Sequence, residues 1–420
     1  MPKVTKSGKA KESELPGFLQ GTTWVEFRRS LDDEEAFHRL ACGIKGIAPG
    51  RRRGVTLLEG ECPYLGLKTF QPEHAGLFFG RVAKIQELLY RLGHGFGTPK
   101  EERFLMLIGA SGSGKSSLAL AGLIPALRRG ELSESAQWPL VCCRPDARPW
   151  ESLQIALAHD PQIAAHLAAL PFLITRPEDE SRRLHLTAQL ALHGRPGTDR
   201  LVVFIDQFEE VFTLCHDETA RRQLIDNVLY ATSVSAGRTI VVLTMRADFY
   251  GQCARYAGLR AALSDHPLLI GPLREEELRE AIEAPAQLAG GELEPGLLEL
   301  LLADMKGQAG ALPFLEHALF KLWEQREGRR LTAKAYLDMG RLGGALDAHA
   351  EEFFTKTLTS QEQLLCRQLL VDLVHPGEGA ADTKKRVSVD DVAISEAARA
   401  VLQKLAQRIR AVSGIAPSQV

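Results

Sequence analysis

The chain has 420 residues, 45% of them apolar and 25% charged, the composition of an ordinary soluble globular protein. Its 53 acidic and 51 basic residues leave a net charge of −2, which excludes the general basic bias that draws proteins to nucleic acid or anionic membranes. No apolar run reaches the roughly 18 residues needed to span a bilayer. The polar N-terminus has no signal-peptide core, so a cytoplasmic location is expected.

Residues 1–14 are small and charged, and are expected to be disordered. Residues 22–27 (Thr-Thr-Trp-Val-Glu-Phe) read as a short strand. Asp32 to Glu35 then start a helix with Phe37, Leu40, Ile44 and Ile47 on one face. Residues 48–60, with Pro49, Gly50, three consecutive arginines and Gly54, read as a linker. From 61 to 274 strand and helix patterns alternate. Strands are expected over 104–108, 139–143, 201–205, 239–244 and 268–270, each short, continuous and rich in Val, Ile or Leu, as strands buried on both faces should be. This alternation predicts an α/β fold with a doubly wound parallel sheet. Residues 275–358 read as helix only, and 359–420 as helical with a polar break at 376–388. The seven cysteines are scattered without C-x-x-C spacing and read as buried, reduced thiols, and the dispersed histidines offer no metal-ligand cluster.

Gly109-Ala110-Ser111-Gly112-Ser113-Gly114-Lys115-Ser116 is a complete G-x-x-x-x-G-K-[ST] phosphate-binding loop, set between the first predicted strand and a helix-like stretch that opens at Ser117. The glycines let the backbone wrap closely, so that its N–H groups and the helix N-terminus point at phosphate oxygens. Lys115 is expected to reach the β- and γ-phosphates and the Ser116 hydroxyl to hold Mg²⁺. The motif predicts binding of a nucleoside triphosphate or its diphosphate, ATP/ADP with Mg²⁺.

The apolar strand 201–205 ends in Asp206, the acid expected on the magnesium side of such a site. Glu209 and Glu210 are both candidates for polarising the attacking water, with Glu209 preferred. Gln207 stands where many hydrolysing relatives carry a glutamate, so turnover is expected to be slow. Arg246 closes the strand 239–244 at the carboxyl edge of the sheet, where ligands bind. It reads either as a γ-phosphate sensor or as the partner of Asp248. Leu77-Phe78-Phe79-Gly80-Arg81 precedes the first helix of the α/β region and is expected to cover the nucleotide. Pro313 opens a later helix, with a flat ring suited to adenine, though prolines start helices without any ligand as well.

These sites, in this order, resemble the STAND class of signal-transduction ATPases within the AAA+ group, and most closely the bacterial novel STAND NTPase domain. The phrases that carry the likeness are Pro63-Tyr64-Leu65-Gly66-Leu67, Leu77 to Arg81, the loop 109–116, Ala121 to Leu127, Ile205 to Glu210, Arg246-Ala247-Asp248-Phe249-Tyr250 and Gly310 to Pro313. They cover about residues 62–385. The resemblance implies a P-loop NTPase domain (61–274), a helical lid (275–358) and an incomplete winged-helix-like region with a tail (359–420). It also implies a switch that is ADP-bound and closed at rest, and ATP-bound, open and homo-oligomeric when triggered, with Arg246 as sensor and Pro313 as lid proline near adenine. Two departures stand out. Val82 and Lys84 replace the acids that usually follow Gly-Arg, and Gln252 stands where an arginine is frequent.

Residues 15–47 resemble the last strand and helix of a TIR-type domain. The rest of such a domain, with its catalytic glutamate, is not in the sequence, and NAD hydrolysis is not expected. The ends suggest a fragment of a longer switch, a frameshifted product or a standalone switch. The functional expectation is a regulatory ATPase whose output is assembly in signalling or defence. The alternatives are a nucleotide-binding scaffold without significant hydrolysis and a mechanical AAA+-like ATPase.

Overall fold

A computed structural model describes residues 60–413, apart from 96–97, 99–100, 133, 168–175, 195–198, 266–267, 309, 376–382, 385–388, 390–392 and 394. The predicted N-terminal tail, the TIR-like strand and helix, nearly all of the linker and the tail 414–420 lie outside the described residues.

Five strands, β1 (Phe104–Gly109), β2 (Leu140–Cys143), β3 (Leu201–Ile205), β4 (Thr239–Arg246) and β5 (Leu268–Leu269), form one sheet in the order β2-β3-β4-β1-β5. Every pairing in it is parallel. Successive side chains point to opposite faces, so the continuous apolar strands feed two cores. Leu105, Leu107, Phe204 and Val242 pack under α1 (Val82–Gly93) and α2. The latter runs through Lys115–Ser117, a wide π-type turn at Leu118–Leu123, and Ile124–Arg128. Met106, Ile108, Val203, Ile205 and Leu243 face the other way. They meet α3 (Pro149–Ala158), α4 (Pro161–Leu167), α5 (Arg183–Leu192), α7 (Glu218–Ser233) and α9 (Ala257–Asp265), while α6 (Glu210–Thr213) and α8 (Tyr250–Cys253) are single turns after β3 and β4. The predicted doubly wound parallel sheet is the observed one.

The following region has its own core around Ile282, Leu301, Leu315, Leu322 and Tyr336. Its helices are α10 (Glu275–Leu288), α11 (Leu297–Met305), α12 (Leu312–Glu324), α13 (Ala333–Asp338) and α14 (Arg341–Thr357). The reading of this region as helix only is corrected. β6 (Glu292–Leu293) and β7 (Arg330–Leu331) pair in parallel, and two-residue strands are too short to leave a period in the sequence. Tyr64, which the sequence places with the α/β part, is buried in this second core and donates its hydroxyl to the Ile282 carbonyl at 2.6 Å. Beyond it, α15 (Ser360–Asp372) and α16 (Glu396–Ser413) enclose a small core of Leu358, Cys366, Leu369 and Val401, and β8 (Val374–His375) pairs antiparallel with β9 (Thr383–Lys384).

The thiol expectation holds in part. Cys215, Cys253 and Cys366 are buried, Cys62 and Cys143 half-buried, and Cys142 is exposed on the edge strand β2. No helix among the described residues is long and apolar enough to cross a membrane.

Candidate functional site

The loop after β1 turns on glycines. Ser113 N–H bonds the Ala110 carbonyl at 3.2 Å, and Gly112 and Gly114 adopt φ of +74° and +84°, the left-handed region that favours glycine. A Cβ on Gly109 would lie 2.5 Å from the Ile270 carbonyl oxygen and 2.8 Å from Ser113 Oγ, so that position too admits only glycine. Lys115 starts α2 and folds its ammonium back onto the loop, donating to the carbonyls of Gly109 (3.0 Å) and Ala110 (2.7 Å). Burial lowers its pKa, and the carboxylates of Glu209 and Asp206 oppose that shift.

The strand order decides what meets across the sheet edge. β4 lies between β1 and β3, so a residue near the end of β4 can bridge the loop after β1 and the acid after β3. Thr244 does this. Its hydroxyl donates to Asp206 Oδ1 at 2.5 Å, and Ser116 Oγ donates to the same oxygen at 2.6 Å. Thr244 Oγ1 also accepts the Gln207 N–H at 2.8 Å, pinning a residue held at φ +54°, where a non-glycine side chain is strained. The sequence reading passed over Thr244. Its signal was a hydroxyl near the end of an otherwise apolar strand.

The structure separates the two adjacent glutamates. Both oxygens of Glu210 accept from the Arg144 guanidinium at the end of β2, one of them at 2.7 Å. Glu209 is buried, carries no ion pair among the described residues, and accepts the Arg246 N–H at 3.2 Å. Burial raises its carboxyl, while those hydrogen bonds and Lys115 hold it down. The Arg246 side chain lines the cavity but is clasped by Asp248 at 2.6 Å, the ion pair that was the alternative to a sensor role.

A cavity of about 460 Å³ runs from this polar end to an apolar end walled by Phe70, Phe78, Pro285, Leu315 and Leu319. Among the expected contact residues, Phe79, Arg81, Ser111, Gly112, Gly114, Lys115, Ser116, Ser117 and Pro313 line it. Two of these also have other tasks. Arg81 is buried and donates to the carbonyls of Ser113 (3.0 Å) and Gly271 (2.8 Å), fastening the loop to the chain after β5. Ser117 Oγ accepts the Phe70 N–H at 3.3 Å. Gly80, at φ +77°, lies against α10, where a Cβ would come 2.3 Å from the Glu277 carbonyl oxygen. Gly112 is equally close to the second region, since its Cβ would meet the Gly310 carbonyl oxygen at 2.4 Å and Pro313 Cδ at 3.2 Å.

These residues fit a phosphate chain and a hard cation. Ser113 Oγ is buried and has no hydrogen-bond partner among the described residues, and glycines at 112 and 114 keep side chains off the cavity side of the loop. The Ser116 hydroxyl and the Asp206 carboxylate, joined by a 2.6 Å hydrogen bond, are the oxygen donor set that suits Mg²⁺. Lys115 supplies a point charge beside them.

A parallel sheet with a glycine-rich loop after β1 and an acid after β3, with β4 inserted between those two strands, defines a P-loop NTPase. Within that class the chain belongs to the Novel STAND NTPase 1 family, whose profile matches residues 63–413. No curated protein matches it. Among solved structures it is similar to the Aeropyrum pernix ORC1 protein in complex with DNA, with 14% identity over 81% of this chain and 86% of that one at a TM-score of 0.43. The ADP form of Aeropyrum pernix ORC2 gives 17% identity over 78% and 85% at 0.41. Domain III of the Thermotoga maritima replication initiation protein DnaA gives 15% over 63% and 93% at 0.36. At such scores the likeness carries no argument about function.

Proposed function

We propose that this chain is an ATP/ADP-dependent conformational switch that hydrolyses ATP slowly and controls its own homo-oligomeric assembly in signalling. One observation carries the reading. The candidate phosphate loop and the helical region share a single cavity and touch backbone to backbone at Gly112 and Gly310, so the number of bound phosphates bears directly on how the two regions sit.

In this reading Lys115 binds the β- and γ-phosphates, and the loop N–H groups and Ser113 Oγ complete the cradle. Ser116 and Asp206 hold Mg²⁺, which when bound neutralises developing negative charge on the phosphates. Glu209 orients the attacking water and accepts its proton, the role for which Glu210, engaged by Arg144, is poorly placed. Arg246 exchanges Asp248 for the γ-phosphate when a triphosphate is present. A carboxylate whose affinity for protons is raised by burial, and a glutamine beside Asp206, both suit slow turnover.

Sedimentation of the chain with ADP and with a non-hydrolysable ATP analogue tests the proposal. A faster species is expected with the analogue only, and Lys115→Ala should abolish it along with triphosphate binding. Identical sedimentation in both nucleotides, with binding intact, would leave a nucleotide-binding scaffold and remove the switch.

A further inference from the structure

Glu316 is the one carboxylate at the apolar end of the cavity described above. It sits on α12, one turn after Pro313, where a helical wheel gives it no special status. The fold brings it against residues 63–67, and its Oε1 accepts the Leu65 N–H at 2.8 Å. That is its only hydrogen bond among the described residues, and no cation pairs with it. Its second oxygen accepts no hydrogen bond among the described residues, and Glu316 lines the cavity together with the rings and aliphatic side chains that would take a flat base. An acid in such surroundings costs free energy unless something donates to it. Burial lifts its carboxyl to about 7.

We propose that Glu316 is a specificity-determining residue for the base: its second oxygen accepts the exocyclic amino group of adenine. The inference rests on the nucleotide reading of the site and adds to it the choice of base. Adenine presents a donor at C6, whereas hypoxanthine and guanine present an acceptor there. Once ionised, the side chain has only acceptors, so it welcomes the amino group and repels the carbonyl. A donated N–H also favours the ionised form of the acid and offsets part of its burial cost, which adds to the preference for adenine.

Glu316→Gln provides the test, because the isosteric amide keeps an oxygen for Leu65. The opposite orientation would set an amide N–H against the Leu65 N–H, so the side chain is pinned. The cavity then meets a donor in place of an acceptor. Affinities for ATP and ITP, which differ at C6, are compared by equilibrium binding in the full chain. The wild type should favour ATP by about tenfold or more, as expected for one well-placed hydrogen bond to a charged group. Glu316→Gln should bring the ratio to about one or invert it. A wild type without preference, or a variant with the wild-type ratio, overturns the assignment while leaving the nucleotide site standing. Lys115→Ala should weaken both nucleotides together. If the folded wild type binds neither, the nucleotide reading itself fails, and Glu316 with it.

Discussion

Thr244 shows how much one buried hydroxyl can organise. It donates to Asp206, accepts from Gln207, and is almost wholly shielded from solvent. Thr244→Val preserves the shape and deletes both bonds. The Gln207 N–H then loses its partner at a strained φ, which costs about 1–3 kcal/mol, seen as a lower thermal midpoint. Asp206 also loses one of the two hydroxyls that orient it, and supporting groups of this kind are worth about 10–100-fold in metal affinity. Nucleotide titrations at varied Mg²⁺ should show that loss. A variant with unchanged midpoint and unchanged Mg²⁺ dependence would mean that Thr244 only fills space. Lys115 and Ser116 stood out because a phosphate loop dictates their spacing, and Asp206 because an apolar strand ends in it. Thr244 and Glu316 did not, because their roles depend on neighbours brought from β3 and from residues 63–67.

At the scale of elements, the strands were readable where burial on both faces made them uniformly apolar, as in 201–205. β6 and β7 escaped notice because two residues hold no period. The contact between the glycine-rich loop and the start of α12 was hidden for another reason: glycine in a sequence signals freedom, not what lies beside it. Gly310 has φ +79°, and a Cβ there would sit 2.4 Å from the Ser111 carbonyl oxygen, a backbone atom that cannot swing aside. Gly310→Ala should therefore push α12 off the loop. The expected result is release of a fluorescent ADP at least about tenfold faster in stopped flow. Gly328 makes the control. Its φ is +61° and a Cβ there meets nothing within 4 Å, so Gly328→Ala adds local strain without touching the loop. Equal release rates in the two variants would show that the interlock does not hold the nucleotide.

The whole molecule presents a cavity whose walls come from widely separated parts of the chain: Phe70 and Phe78 before β1, the loop after it, Glu209 and Arg246 at the sheet edge, and Pro313 and Glu316 on α12. The α/β and helical regions have separate hydrophobic cores, so neither needs the other to bury its apolar side chains. Close backbone approaches help to join them: Gly80 lies against Glu277, and Gly112 lies against Gly310. Joints of this kind are weaker than a shared apolar core and respond more readily to a ligand placed between them. ADP at about a hundred times its dissociation constant adds about 2.7 kcal/mol to whatever state binds it. If the cavity is the nucleotide site, that stabilisation must reach both regions. Hydrogen exchange should then slow together at amides 110–118 and in the first turns of α12, whose backbone is far away in sequence and packed in a different core. Protection limited to the loop and the sheet edge would place the nucleotide in the α/β region alone and leave α12 as its neighbour, not its wall.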